Sequence, residues 1–327
     1  MRSLSLTCLL FTVLFGCPGA SADDQDDAAW RQEERDLSFT LDPDGFQFTS
    51  ERHSRLGDDR LVGTFDATAA VLTYDFAATG PGNATELRVG LAWQALVEFR
   101  DLDHDGRFGL ADEAVQTLAV PSLPVTVATT PNLPGRHSAL VTYALPINTS
   151  KSPLPTGQAI GPQGTLRIEF TVVSASIGAG AAAQSPLDVA FQVEVSDFPY
   201  DSSGTLLALV AQGSGKDLEP GLLGLAMAAD GLSTSVSWAK GGRADGASFN
   251  TALSTLLQEP GKATMSIVFP HAQEVGQAGV VTSQRQQAPL APVVHALIDG
   301  DWRWYLAGIA AVSVLLGGPS LARLRRN

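Results

Sequence analysis

The chain has 327 residues, 44% of them hydrophobic, with 34 acidic against 21 basic residues and a formal net charge of −13. All 34 acidic residues lie between Asp23 and Asp301, whereas Arg2, Arg303, Arg323, Arg325 and Arg326 lie outside that range, so the central region carries 34 acidic against 16 basic residues, a formal −18. A surface of that sign repels nucleic acid and anionic lipid and favours cations. It also serves plain solubility.

The N-terminus reads MRSLSLTCLLFTVLFGCPGASADDQDD, with one arginine, an apolar run from Leu9 to Phe15 and the small residues Ala20, Ser21 and Ala22. This is the layout of a secretory signal peptide over residues 1–22, with cleavage after Ala22. The rival reading takes LFGC as a lipoprotein signal lipidated at Cys17, but Phe before Gly and Pro after Cys fit that poorly. Both cysteines of the chain, Cys8 and Cys17, fall inside this segment. The mature chain is therefore expected to lack disulfides, and to draw its stability from a packed core, ions or glycans.

Residues 23–36 are charged and poor in apolar residues, and read as a flexible lead-in. Alternation then begins. Leu37, Phe39 and Leu41 share one parity, Asp42-Pro43-Asp44-Gly45 is turn chemistry, and Phe46 and Phe48 resume the pattern, which predicts a β-hairpin. The longest alternation is LRVGLAWQALVEF, where Leu87, Val89, Leu91, Trp93, Ala95, Val97 and Phe99 all occupy odd positions, predicting one long strand with a single buried face. TLRIEFTVV and LDVAFQVEV alternate similarly, and AVLTYDF, ALVTYAL, LLALVAQ, LSTSVSW and ATMSIVF are shorter strand candidates. A single short helix is expected in GASFNTALSTLLQE, where Phe249, Leu253, Leu256 and Leu257 share a helical face.

Many strands separated by Pro/Gly clusters predict a mainly β ectodomain, an antiparallel β-sandwich of immunoglobulin-like or jelly-roll-like kind. An echo between VEFRDLDHDG and VEVSDFPYDSSG suggests two related sandwiches, over 37–150 and 151–275, divided in the Pro/Gly-rich stretch 146–164. Residues 276–301 read as a stalk. Tyr305 to Leu321 is uncharged and mostly apolar, flanked by Trp302 and Trp304 before it and Arg323, Arg325 and Arg326 after it. This predicts a transmembrane helix over 302–322 and a basic cytoplasmic tail over 323–327, with the N-terminus outside and the protein at the cell surface. The same three-part layout serves as a sorting tail cleaved by a dedicated protease.

The most specific constellation is EFRDLDHDGRFGLADEAV. Calcium takes six to eight oxygen ligands, and alternating carboxylates around a short loop supply them. These residues resemble the EF-hand calcium loop, also used by dockerin-type modules, over the twelve positions 101–112. The resemblance implies side-chain oxygens from Asp101, Asp103 and Asp105, a sharp turn at Gly106, a backbone oxygen from Arg107, an apolar anchor at Phe108, room for water at Gly109, and a last ligand from Asp112. Asp112 is one methylene shorter than the usual Glu, and the neighbouring Glu113 is placed to take over. The entering segment alternates with period two, so a strand replaces the first helix of a hand. The expected cofactor is thus one structural Ca2+ rather than a sensor ion, bound with a Kd on the order of 10⁻⁴ M. The rival reading is a solvated acidic turn.

No G-x-S-x-G or H-E-x-x-H motif occurs, and the five histidines, His53, His104, His137, His271 and His295, are isolated. Glu98, Glu169 and Glu194 sit at polar positions of predicted strands, and two of them facing across a cleft would serve a glycosidase. Asn83 and Asn148 satisfy the glycosylation sequon. The expected role is binding, adhesion or envelope structure, with the membrane and an extracellular protein or glycan as partners and no nucleic acid. The alternative is a calcium-stabilised glycoside hydrolase working through strand carboxylates.

Overall fold

The computed structural model describes residues 34–285, apart from 55–56, 81–82, 131–132, 147–163, 178–183, 222 and 230–231. The segments expected to be a signal peptide and a transmembrane helix, and Asn148, lie outside the described residues. Among the described residues, no helix is long and apolar enough to cross a membrane.

The chain is mainly antiparallel β, in two sheets. Strands β1 (Asp36–Asp42), β2 (Gly45–Ser54), β3 (Gly57–Asp66), β4 (Val71–Gly80) and β5 (Asn83–Arg100) form a meander, with β6 (Glu113–Ala119) on the upper half of β5. The expected Asp42-Pro43-Asp44-Gly45 turn closes β1 on β2, with Asp42 opposite Gly45. The chain then enters the second sheet as β7 (Val125–Thr129), β8 (Arg136–Leu145), β9 (Gly164–Val173) and β10 (Asp188–Ser196), again a meander. It crosses back as β11 (Leu206–Gly215), which pairs with β5. Strands β12 (Glu219–Gly221), β13 (Gly224–Ala229) and β14 (Leu232–Trp238) extend the second sheet, and β15 (Gly241–Ala244) and β16 (Ala247–Asn250) form a hairpin beside it. β17 (Ala252–Glu259) and β18 (Lys262–Phe269) return to the first sheet next to β11, and β19 (Glu274–Arg285) lies between β14 and β10.

Both sheets thus take strands from both sides of residues 146–164, and both sides share one core. The two regions expected to be separate sandwiches are interleaved. Facing side chains interlock the sheets: Phe65 and Trp93 of the first meet Phe170 of the second at ring distances of 4.7 and 5.6 Å, and Phe191 meets Trp93 at 5.7 Å. Such offset and edge-on aromatic pairs add about 0.5–1.5 kcal/mol each beyond area burial. Buried hydroxyls bind across the same gap, the Tyr74 hydroxyl donating to Leu187 O at 2.8 Å and that of Tyr143 to Ala67 O at 2.8 Å.

Three expectations are corrected. The segment 246–259 is two strands, β16 and β17, and not a helix. Asp245 and Gly246 both have positive φ, +48° and +79°, which is the type I′ hairpin geometry that an Asp-Gly pair favours. That turn commits Ala247–Asn250 to pairing with β15 before a helix can start. Gly246→Ala is therefore expected to lower stability by about 1–2 kcal/mol in urea unfolding, although nothing lies within 4 Å of the new methyl group. Residues 276–285, expected to open a stalk, are part of β19 in the middle of the second sheet. Gln277 and Ser283 occupy inward positions there and are bound by Thr251 and Tyr74, which hid the alternation from hydropathy.

The third correction concerns β5. Val210 pairs with Ala95 but Ala211 pairs with Trp93, so Gln94 is an extra residue and the parity reverses. Above the bulge Leu96 faces the main core, whereas Val97 and Phe99 face outward into a second apolar cluster with Ala208 and Val268. That reversal positions the acidic loop.

Candidate metal centre

Phe99 reaches the outer face of the first sheet, and the loop 101–112 folds back over that face. Phe108 packs on Phe99 with ring centroids 5.0 Å apart, and Ser254 of β17 donates to the Phe108 carbonyl at 3.0 Å. The loop's two ends leave adjacent antiparallel strands: Arg100 is the partner of Glu113, and their side chains form an exposed ion pair at 2.8 Å. The loop is a twelve-residue hairpin connection with an apolar anchor on one side.

Within it, the carboxylates of Asp101, Asp103 and Asp105 offer oxygens that all lie within 4.8 Å of one another. Asp101 Oδ2 accepts the Gly106 N–H at 2.9 Å, Asp103 Oδ1 that of Asp105 at 3.3 Å, and Asp105 Oδ1 that of Arg107 at 2.7 Å. Each of the three carboxylates keeps a second oxygen outside these turns. Asp101 Oδ1 is buried and has no hydrogen-bond partner. His104 and Gly106 have φ of +61° and +71°, so the backbone winds in the left-handed region twice within three residues. The Asp105 N–H pulls the Asp103 carboxyl down, but desolvation and the charges of Asp105 and Asp112 outweigh it and hold that carboxyl above its ordinary value.

The other residues implied by the resemblance take different places. Asp112 ties the loop together, accepting the Leu102 N–H at 3.1 Å and the Gly109 N–H at 2.7 Å with its two oxygens. Arg107 joins the turn through its amide and its side chain is exposed. Glu113 is held by Arg100 at the strand end. Sequence reading passed over Ser254, which meets the loop only through the fold. Leu102 is 57% exposed and Leu110 99% exposed, two apolar side chains presented beside the carboxylates.

Glu98 does not join the other two strand glutamates. Glu98 faces inward on β5 above the bulge and is 0% exposed. Its Oε2 accepts the Asp201 N–H at 2.7 Å, and its Oε1 accepts the Ser202 N–H at 2.9 Å and the Thr205 hydroxyl at 2.7 Å. Glu169 and Glu194 lie on the outer face of the second sheet, where Glu169 lies 3.5 Å from the Thr130 hydroxyl and Glu194 lies 3.6 Å from Arg167. Asn83 opens β5 opposite Gly80. No protein-family model matches the chain, and no curated protein matches it.

Proposed function

We propose that this chain is a membrane-anchored cell-surface protein whose two-sheet domain, a sandwich of immunoglobulin-like or jelly-roll-like kind, binds an extracellular partner and carries one structural Ca2+. The observation that carries the ion is the convergence of Asp101, Asp103 and Asp105, with a buried, unpartnered oxygen on Asp101. Three carboxylates at such distances repel one another unless a cation joins them. Asp112 closes the loop and Arg107 offers its carbonyl, while Glu113 stays with Arg100. The ion is a clip, because the loop connects two paired strands and has no helix to reorient. Leu102 and Leu110, held out by that loop, support a docking role at this end of the domain. A hydrolase has less support: Glu98 spends both oxygens on the protein's own backbone and Thr205.

The test is a thermal melt of the purified chain in 2 mM calcium or in chelator. At a Kd on the order of 10⁻⁴ M, calcium is expected to add about 1.8 kcal/mol. That raises the melting temperature by about 4–7 °C. The Asp101→Asn, Asp105→Asn variant should lose this response. Identical melting in calcium and chelator would remove the ion from the proposal.

A further inference from the structure

The first sheet ends on β17, which pairs with β18 and, among the described residues, with no strand on its other side. An antiparallel strand in that place turns alternate N–H and C=O groups away from its neighbour, a template for one more strand. β12 comes within 8 Å of β17 but is itself paired with β13. Residues 252–258 read ALSTLLQ, without a charge, a glycine or a proline. The first charge, Glu259, is offset by Lys262 at 3.3 Å across the turn.

The other strands at sheet margins are blunted in ways that keep edges from pairing. β1 carries exposed Asp36 and Asp42 at its two ends. β6 opens on Glu113 and takes a bulge against β5. β7 has five residues, β16 four and β12 three, with Pro220 in the middle of the last. β17 has eight, and its bulge lies at the turn end, by Gln258.

The outer face of β17 is small at one end and large at the other. Ala252 packs into the outer apolar cluster and Ser254 donates to the Phe108 carbonyl, which places Leu256 on the same face, where it is 57% exposed. A second β17, turned about a two-fold axis at Ser254 or Thr255, sets the Leu256 of one copy opposite Ala252 or Ser254 of the other. Large side chains then meet small ones, and the outer faces of both sheets stay on one side. Residues 23–301 carry a formal −18, so two copies repel over most of their surface and approach best along an uncharged margin. Pairing of β17 with itself closes at two copies, whereas β17 on β1 would be an open head-to-tail contact against Asp36 and Asp42. We infer that the chain forms a two-fold homodimer by antiparallel pairing of β17 with β17 of a second copy, joining the two first sheets into one. The inference goes beyond the function proposed above and depends neither on the ion nor on the membrane anchor.

The experiment is light scattering of the full chain in detergent, with the detergent mass subtracted. A strand margin of this length is a small interface, so a reversible dimer with a Kd on the order of 10 μM is expected. Leu256→Glu, at an exposed position, should weaken it by about tenfold or more without changing the melting temperature. A residue on the two-fold axis faces itself at a Cα separation of about 4.5–5.5 Å, within disulfide range. Oxidation is therefore expected to cross-link the Ser254→Cys or the Thr255→Cys chain, and not a Ser38→Cys chain altered on β1. Cys8 and Cys17 are common to all these samples, so the parent chain is the control. A parent that is monomeric at about 100 μM would overturn the inference. So would a dimer that Leu256→Glu leaves intact, as one held by a C-terminal helix would be, or cross-linking at 254 and 255 no greater than at 38.

Discussion

Asp59→Asn is expected to destabilise the protein by about 3–5 kcal/mol, read as a lowered urea midpoint with unchanged slope. Asp59 on β3 and Arg35, just before β1, are fully buried at their side chains and ion-paired, and Arg52 of β2 donates to Asp59 Oδ2 at 2.9 Å. Arg35 is further fixed by the Ser50 hydroxyl at 3.0 Å and by the carbonyls of Ser50 and Asp59 at 3.3 Å, and its own N–H donates to the carbonyl of Ser174, just after β9. Burial pushes the Arg35 guanidinium below its ordinary value and Asp59 opposes that push. Removing the one carboxylate leaves two guanidinium groups together in a dry site, which costs far more than an exposed pair. The control is Asp58→Asn, one residue away and paired with His53 at the surface, where a change within about 0.5 kcal/mol is expected. Equal midpoints for the two variants would mean that the buried cluster contributes nothing.

None of that cluster was legible in the sequence, where Arg35 belongs to a charged run read as a lead-in. Charge runs are usually solvated, and what buries Arg35 is the second sheet, reached through Ser174 and through Pro186, whose carbonyl accepts from Ser50. The alternating apolar residues of β1, β9 and β10 were legible, because a one-residue slip would turn their whole apolar face to water, whereas β3 was passed over and β7 lay in a stretch that read as a Pro-rich connection. Alternation failed where inward positions are polar, as at Gln277 and Ser283, and where a bulge reverses it, as at Gln94. The bulge explains why Phe99 and Phe108 meet outside the main core. The acidic spacing of 101–105 was legible because its geometry is local. The anchoring of that loop by Ser254 was not, since that contact spans 146 residues. The echo between VEFRDLDHDG and VEVSDFPYDSSG gains a physical content of another kind: Glu98 of the first binds Asp201 and Ser202 of the second.

Glu98→Ala is accordingly expected to cost about 3 kcal/mol, the loss of a charged acceptor serving three donors with partial rescue by water. The residues 197–205 carry the chain from the second sheet to the first, and Glu98 is the group on β5 that holds their turn. Beside it Tyr200 stacks on His271 at 3.8 Å, with its hydroxyl pushed up to about 12 by burial, and His271 Nδ1 lies 3.5 Å from the Thr205 hydroxyl. Releasing the turn should open the amides of Asp201 and Ser202 to hydrogen exchange well before global unfolding. A catalytic carboxylate behaves in the opposite sense, since functional sites hold strain whose removal tends to stabilise the fold. A Glu98→Ala protein as stable as the parent would therefore favour the hydrolase. Loss of stability with the calcium response intact would separate the two faces of the strand end: Glu98 inward, fixing the crossover, and Phe99 outward, seating the loop that presents Asp101, Asp103 and Asp105.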